Sequence, residues 1–268
     1  MWEWYLQQVR WRPEVRPKVA STPFGFKVHV QLPDVIQMIV WLTGRWEPFI
    51  SECLRRMLAP GDIFVDVGAN IGYYSLLASG IVGRNGRVYS IEASPTILPL
   101  LRRNIALNHA DNVEVIHVIV SDHNGEQEFW LAPETERGRS TSVQSIATAS
   151  GMHSEGSIRC GTLTSIVPAD QLLNARFIKI DVEGAERAVL EPLVRRLPEF
   201  SSRTVWAMEL WPGDCAWVFD WFSRHGYTAL AMKNDYSAAT YLSRPKSLQL
   251  RRLTAAPASC ADVLFLRE

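Results

Sequence analysis

Residues 62–72, Asp-Ile-Phe-Val-Asp-Val-Gly-Ala-Asn-Ile-Gly, set a buried strand directly against a glycine turn and the start of a helix. Ile63, Phe64, Val65 and Val67 form an apolar run of strand length, as the middle of a parallel sheet requires. Gly68 allows a tight turn and a close approach to a ligand without a Cβ in the way. Gly72 falls in the first helical turn, where helix and strand pack. A second apolar strand, 87–92, ends at Glu92, twenty residues after Gly72, where a carboxylate can accept both hydroxyls of a ribose.

The glycine pattern is acid-x-Gly-x-x-x-Gly, not the Gly-x-Gly-x-x-Gly of a dinucleotide site. A dinucleotide presents a pyrophosphate that needs a helix N-terminus and close backbone N–H groups. Asp66 would put negative charge near that place. A cationic nucleoside suits it better, and S-adenosylmethionine, with a sulfonium, an amino group and a ribose, fits. The plain alternative is an ordinary strand and turn in an α/β protein.

The 268 residues, 47% hydrophobic, suffice for one large α/β domain with appendages. The net charge is zero, so no global field recruits nucleic acid or an acidic membrane. Local basic stretches at Arg10, Arg12, Arg16 and Lys18, and at Arg244, Lys246, Arg251 and Arg252, read as solvated faces. Cys53, Cys160, Cys215 and Cys260 are scattered without a Cys-x-x-Cys pair, which points to reduced thiols rather than zinc or a disulfide framework. The first residues lack a signal-peptide pattern and no apolar run reaches membrane length, so a cytoplasmic protein without a membrane span is expected.

Residues 1–50, aromatic and punctuated by Pro13, Pro17, Pro23 and Pro33, read as an N-terminal arm or cap, and 51–268 as the main domain. Trp2, Trp4 and Trp11 in that arm offer a surface through which a homodimer would form. After the glycine turn, helices and strands alternate: a helix near 71–82, the strand ending at Glu92, a helix over 95–108 and a strand over 113–120. Strands are expected also at 127–131 and 158–166. Within 138–157, eleven of twenty residues are Gly, Ser or Thr, so 133–162 is expected to hold a mobile loop. The alternation resumes with a strand at 177–181, a helix at 184–196, a strand at 204–210, a helix at 215–225 and strands near 227–232 and 262–266. This pattern predicts a Rossmann-like, doubly wound parallel sheet with helices on both faces. Asp66, Glu92, Asp122, Asp181 and Glu209 all close such strands, on the rim where ligands of open sheets bind.

From about Phe24 to Leu266 the chain resembles the FkbM-type S-adenosylmethionine-dependent methyltransferases. The resemblance is carried by Thr43-Gly-Arg-Trp-Glu47-Pro, by residues 60–75 and 86–95, by Asn104-Ile-Ala-Leu-Asn108, by Val120-Ser-Asp122, and most specifically by Phe177-Ile-Lys-Ile-Asp-Val-Glu-Gly-Ala-Glu186. Trp46 stands where the family commonly has tyrosine, and Ala93 where it has proline. The resemblance implies the class I methyltransferase fold, seven strands with the last antiparallel, and methyl transfer to an oxygen of a sugar, polyketide or related metabolite. The arm and residues 133–162 match poorly and are the regions expected to choose the acceptor.

In-line transfer demands a collinear nucleophile, methyl and sulfur, so positioning should dominate. Asp66, Gly68, Asn70, Gly72 and Tyr73 are the cofactor-binding candidates, the last four around the methionine and ribose. Glu92 is assigned the ribose hydroxyls, and Ser121 with Asp122 the adenine edge. An alcohol also needs its proton taken or its oxygen held by a metal. Asp181 and Glu209 end adjacent strands, a layout similar to that of catechol-type O-methyltransferases, so they either bind Mg²⁺ or supply the base. The bland alternative has Asp181 ordering a turn and Glu209 pairing with an arginine. Glu183 lies close enough to join them, and His153 in the Gly/Ser/Thr-rich stretch is a further candidate base. Lys179 faces the same side as Asp181 and is expected in an ion pair. Trp130, Trp206, Trp211 and Trp217 near strand ends tilt the acceptor toward a small carbohydrate or oligosaccharide, while the neutral net charge and the lack of an aromatic-basic groove pattern count against nucleic acid. An NAD-dependent oxidoreductase and a non-catalytic nucleoside-binding module are the competing classes.

Overall fold

A computed structural model describes residues 18–211, 213–232, 240–241 and 248–267. The Trp2, Trp4 and Trp11 arm, its three arginines and the Arg244–Lys246 stretch lie outside the described residues.

The chain enters through a hairpin, β1 (Lys18–Ser21) and β2 (Lys27–Val30), followed by helices α1 (Val35–Thr43) and α2 (Pro48–Met57). Asp34 caps α1 by accepting the Gln37 N–H, and Gly44 ends it in the left-handed region. The first central strand β3 (Ile63–Val67) leads into α3 (Tyr73–Val82), then β4 (Arg87–Glu92), α4 (Leu98–Leu107) and β5 (Val113–His117). There the chain departs from the expected single strand over 113–120. It breaks at Val118, and β6 (Ile119–Val120) joins a separate small sheet with β7 (Gly125–Leu131) and, past helix α5 (Gln144–Ala149), β8 (His153–Gly161), in the order β6-β8-β7. Residues 163–166, expected in a strand, form a helical turn, α6 (Leu163–Ile166), and α7 (Ala169–Leu173) follows.

Strand β9 (Phe177–Ile180) precedes α8 (Glu186–Leu190). The helix expected over 184–196 stops early: Pro192 and Pro198 open two 3-10 turns, since proline removes a donor and crowds the preceding turn. The chain closes with β10 (Val205–Leu210), α9 (Cys215–Arg224), β11 (Tyr227–Met232), β12 (Leu250–Arg252) and β13 (Ala261–Arg267).

The main sheet runs β12-β11-β13-β10-β9-β3-β4-β5. From β5 to β10 neighbours are parallel, while β13 is antiparallel to both β10 and β11. The expected reversed last strand is therefore present, and the short β12 adds an eighth strand at the edge.

Strict alternation divides the core. Val65, Val67, Ile178, Ile180, Trp206 and Met208 face one layer, and Phe64, Phe177, Val205 and Ala207 the other, with α3, Val28, Val30 and Ile50. The second layer contains a polar row. Asp66 is in register with Ser90 on one side and Lys179 on the other. Burying a charge is tolerable only with partners. Ser75 Oγ of α3 lies 2.6 Å from Asp66 Oδ2 and 2.8 Å from Ser90 Oγ, and Lys179 Nζ lies 3.8 Å from Asp66 Oδ1 and 2.9 Å from Asp181 Oδ2. Burial opposes the Lys179 charge, but the Asp181 and Asp66 carboxylates outweigh it and hold the ammonium above its ordinary range. This is the ion pair expected for Lys179.

Candidate active site

A cavity of about 480 Å³ opens at the carboxyl ends of β3, β4, β9 and β10, the rim expected to be the working face. Its first wall is the glycine bend. Gly68 has φ +79°, and a Cβ placed there would sit 1.9 Å from the Asp181 carbonyl oxygen, so only glycine lets β3 and β9 leave the sheet this close together. Asn70 is itself left-handed, φ 50°. Gly72, φ 85°, expected at the cofactor, does not line the cavity: it starts α3 with the Leu101 side chain seated where a Cβ would be.

Glu92 lines the cavity beside this bend. Its Oε2 accepts the Asn70 N–H at 2.7 Å and its Oε1 the Ser94 N–H at 2.8 Å. Each oxygen retains a lone pair, so the carboxylate is aimed and still able to accept. Burial pushes its pKa up to about 7, against these backbone donors. Asn70 also lines the cavity, and its Oδ1 is buried without a partner. A nucleoside's hydroxyls or ammonium would satisfy both groups.

Beyond Glu92, the wall is apolar, built by Ile97, Val118, Ile119, Val120 and Phe129. Ser121 and Asp122 do not line it. Ser121 Oγ turns to Gln127 at 2.9 Å, and Asp122 pairs with exposed His123 at 2.7 Å. After the break at Val118 the chain joins the small sheet; Ile119 and Val120 still face the cavity, and the turn that follows takes Ser121 and Asp122 off it. Asp66 lies behind the cavity in the polar row, fully buried. Tyr73 lines the cavity, with its ring packed edge-on against Phe26 and its hydroxyl 3.3 Å from the Gly44 carbonyl oxygen.

The other end of the cavity is acidic. Asp181, Glu183 and Glu209 each bring one carboxylate oxygen within 4.8 Å of the others. Glu183 reaches the cluster from a left-handed residue, φ 53°. Burial, and then the Asp181, Glu209 and Glu186 carboxylates, push its pKa up to about 9. Glu209 is oriented by the Trp211 Nε1–H at 3.1 Å and the Cys260 thiol at 3.1 Å, not by an arginine. Three converging oxygen donors match what a hard divalent cation takes, and the repulsion that Lys179 offsets only at Asp181 is what such a cation relieves.

Glu47 also lines the cavity, as a left-handed residue (φ 34°) heading α2, and accepts the Tyr74 hydroxyl at 2.6 Å. Its motif was visible in the sequence but no role was attached to it. His153 does not enter the site; it is exposed at the start of β8, opposite Leu131. Trp130, Trp206, Trp211 and Trp217 do not line the cavity, and Trp206 is wholly buried between Phe200 and Phe222. The tryptophan at the cavity is Trp46. Ile36 and Ile39 of α1 and the residues of 136–140 were not singled out, although the arm and residues 133–162 were the regions expected to choose the acceptor; long-range packing brings them to the rim.

A sheet of this order with β13 reversed, a glycine bend after β3 and an acid closing β4 defines the Rossmann-like methyltransferase fold. Within that class the chain belongs to the FkbM methyltransferase family: the model described as Methyltransferase FkbM domain matches residues 66–228. That membership favours the methyl-transfer reading over the nicotinamide one.

Among curated proteins it is similar to a protein-L-isoaspartate O-methyltransferase of Caenorhabditis elegans, 36% identical over 78 residues, 29% of this chain and 35% of that one. It is also similar to an arsenite methyltransferase of Halobacterium salinarum, 33% identical over 90 residues, 30% of this chain and 23% of that one. The match thus spans about a third or less of these relatives' length. Among solved structures, a precorrin-6y C5,15-methyltransferase from Geobacter metallireducens aligns over 82% of this chain and 86% of its own, with a TM-score of 0.46 and 16% identity. No helix among the described residues is long and apolar enough to cross a membrane.

Proposed function

We propose that the protein transfers the methyl group of S-adenosylmethionine to a hydroxyl oxygen of a carbohydrate or related hydroxylated metabolite, with Asp181, Glu183 and Glu209 serving that oxygen. The observation that carries the proposal is one cavity with two chemically distinct ends: a buried ribose acceptor, Glu92, beside an apolar slot, and a cluster of three carboxylates. The slot of Ile97, Val118, Val120 and Phe129 suits a purine face, while the unpaired Asn70 Oδ1 suits a donor on the cofactor.

At the acidic end, Glu47 and Asp262 also line the wall. Carboxylates in this number accept from several hydroxyls of one acceptor, and Trp46 supplies a flat face. Asp181, Glu183 and Glu209 would hold a magnesium ion, which when bound lowers the pKa of an acceptor hydroxyl. Without it, one of them takes the proton as general base, typically worth on the order of 10²–10⁴ in rate. A polyketide or other natural product is the second reading, favoured by the apolar side chains of Val35, Ile36, Ile39 and Ile50 on the same cavity.

The test is transfer of labelled methyl to a panel of sugars, glycosides and polyketides, with magnesium and after exhaustive EDTA treatment. Label on a hydroxylated acceptor that survives mild alkali is the expected ether. Label that alkali releases would mark a carboxyl ester instead, as on a protein acceptor. Asp181→Asn and Glu209→Gln are each expected to lower kcat by roughly 10²-fold or more with cofactor binding retained. Activity untouched by EDTA removes the metal version.

A further inference from the structure

The nine residues 132–140 leave β7 and return at Thr141, whose backbone bonds Trp130 in both directions at 2.9 and 3.0 Å. They form a strap over the cavity. It is stitched internally: Arg137 Nη1 donates to the Ala132 carbonyl at 2.9 Å, and Ser140 Oγ to the Arg137 carbonyl at 2.8 Å. From Pro133 to Ser140, however, every residue is exposed or half-buried. A segment with so little apolar burial belongs to the locally least stable parts of a fold.

What holds the strap to the body is concentrated at α1. The Val35 N–H donates to the Thr135 carbonyl at 2.9 Å, and the Arg137 N–H donates to Asp34 Oδ2 at 2.9 Å. The other Asp34 oxygen caps α1 through the Gln37 N–H at 2.9 Å. Asp34 is buried, with one oxygen given to the helix and the other to the strap. One residue further along, Gly138 is seated against two elements at once: a Cβ there would meet Ile36 Cδ1 at 2.2 Å and Asn70 Nδ2 at 3.3 Å. The strap, α1 and the glycine bend therefore meet at a single point.

We propose that Asp34 is a positioning residue of the cofactor site, latching the strap to α1 so that Gly138 covers the Gly68–Asn70 bend and bound cofactor leaves only when the latch parts. This rests on the reading of that bend as the cofactor's place. Asp34 touches no reacting atom; it acts through the strap.

The test is the dissociation rate of labelled S-adenosylmethionine chased by excess unlabelled S-adenosylhomocysteine. Asp34→Ser keeps an oxygen short enough to cap α1 but too short to reach Arg137. It is expected to release label roughly tenfold faster, about what one hydrogen bond to a charged group contributes, with a thermal midpoint close to wild type. Gly138→Val, whose bulk one rotamer change at Ile36 does not absorb, is expected to speed release in the same way without touching the cap. Wild-type dissociation rates in both folded variants overturn the latch. Wild-type protein that retains no label overturns the placement of the cofactor itself, and the latch with it.

Discussion

At the residue scale, Glu92 shows why a buried carboxylate suits this site and what it costs. Its pKa of about 7 in the folded chain stands above the ordinary 4.5, with burial as the main cause. Between those values the folded protein binds more protons than the unfolded one, so its unfolding free energy falls as pH rises through that window. Cofactor binding runs the other way, because ribose hydroxyls donate best to the ionised form. Affinity for S-adenosylhomocysteine is expected to weaken below about pH 7, approaching roughly tenfold per pH unit. In Glu92→Gln, affinity should be lower by about 10–100-fold, and calorimetry across pH 5.5–8 (about the titration range) should find the slope gone. Gly68 is the second such residue. Gly68→Ala places a methyl against the Asp181 carbonyl in a left-handed backbone, and urea unfolding is expected to show a loss of at least about 2 kcal/mol. The places of both residues at the rim were legible in the sequence, since each follows from one strand and the turn or acid that ends it. Asp66 was legible only as an acid at a strand end. Its neighbours Lys179 and Ser75 come from other elements and turn it inward to the polar row.

At the element scale, the outcome divides between what a strand or helix decides alone and what its neighbours decide. The strand ending at Asp181 was readable because alternation puts Lys179 and Asp181 on one side, and the two meet at 2.9 Å. Lys179→Met removes the cation facing Asp66 and Asp181. Leaving buried carboxylate uncompensated is expected to cost about 3–5 kcal/mol in urea unfolding, and Asp66→Asn in the same chain should recover part of it. Ser121 and Asp122 were misplaced because the sequence shows one apolar run over 113–120, with nothing in it to reveal the break at Val118. The early end of α8 was written in Pro192, and giving that proline more weight would have found it. The strap falls at the start of the 133–162 stretch expected to hold a loop, but the seat of Gly138 against Ile36 and Asn70 is a contact between residues far apart in the chain, which no local pattern shows.

At the scale of the whole molecule, the sheet order is what turns scattered acids into a site. Because β3 lies between β4 and β9, and β10 beside β9, the ends carrying Gly68, Glu92, Asp181 and Glu209 open on one cavity. That convergence was expected of five strand-end acids from the alternation of strands and helices; Glu92, Asp181 and Glu209 line the cavity, while Asp66 faces inward and Asp122 lies off it. The acceptor wall owes more to α1 and the α2 entrance at Trp46 and Glu47, parts of the chain where no periodic pattern announces a ligand. The central claim is that this single cavity binds the methyl donor through Glu92. Isothermal titration of the folded protein with S-adenosylhomocysteine tests it most directly. One site per chain, with affinity strongly reduced in Glu92→Gln, is the expected result; no binding heat from cooperatively folded protein, or equal affinity in the variant, would contradict it.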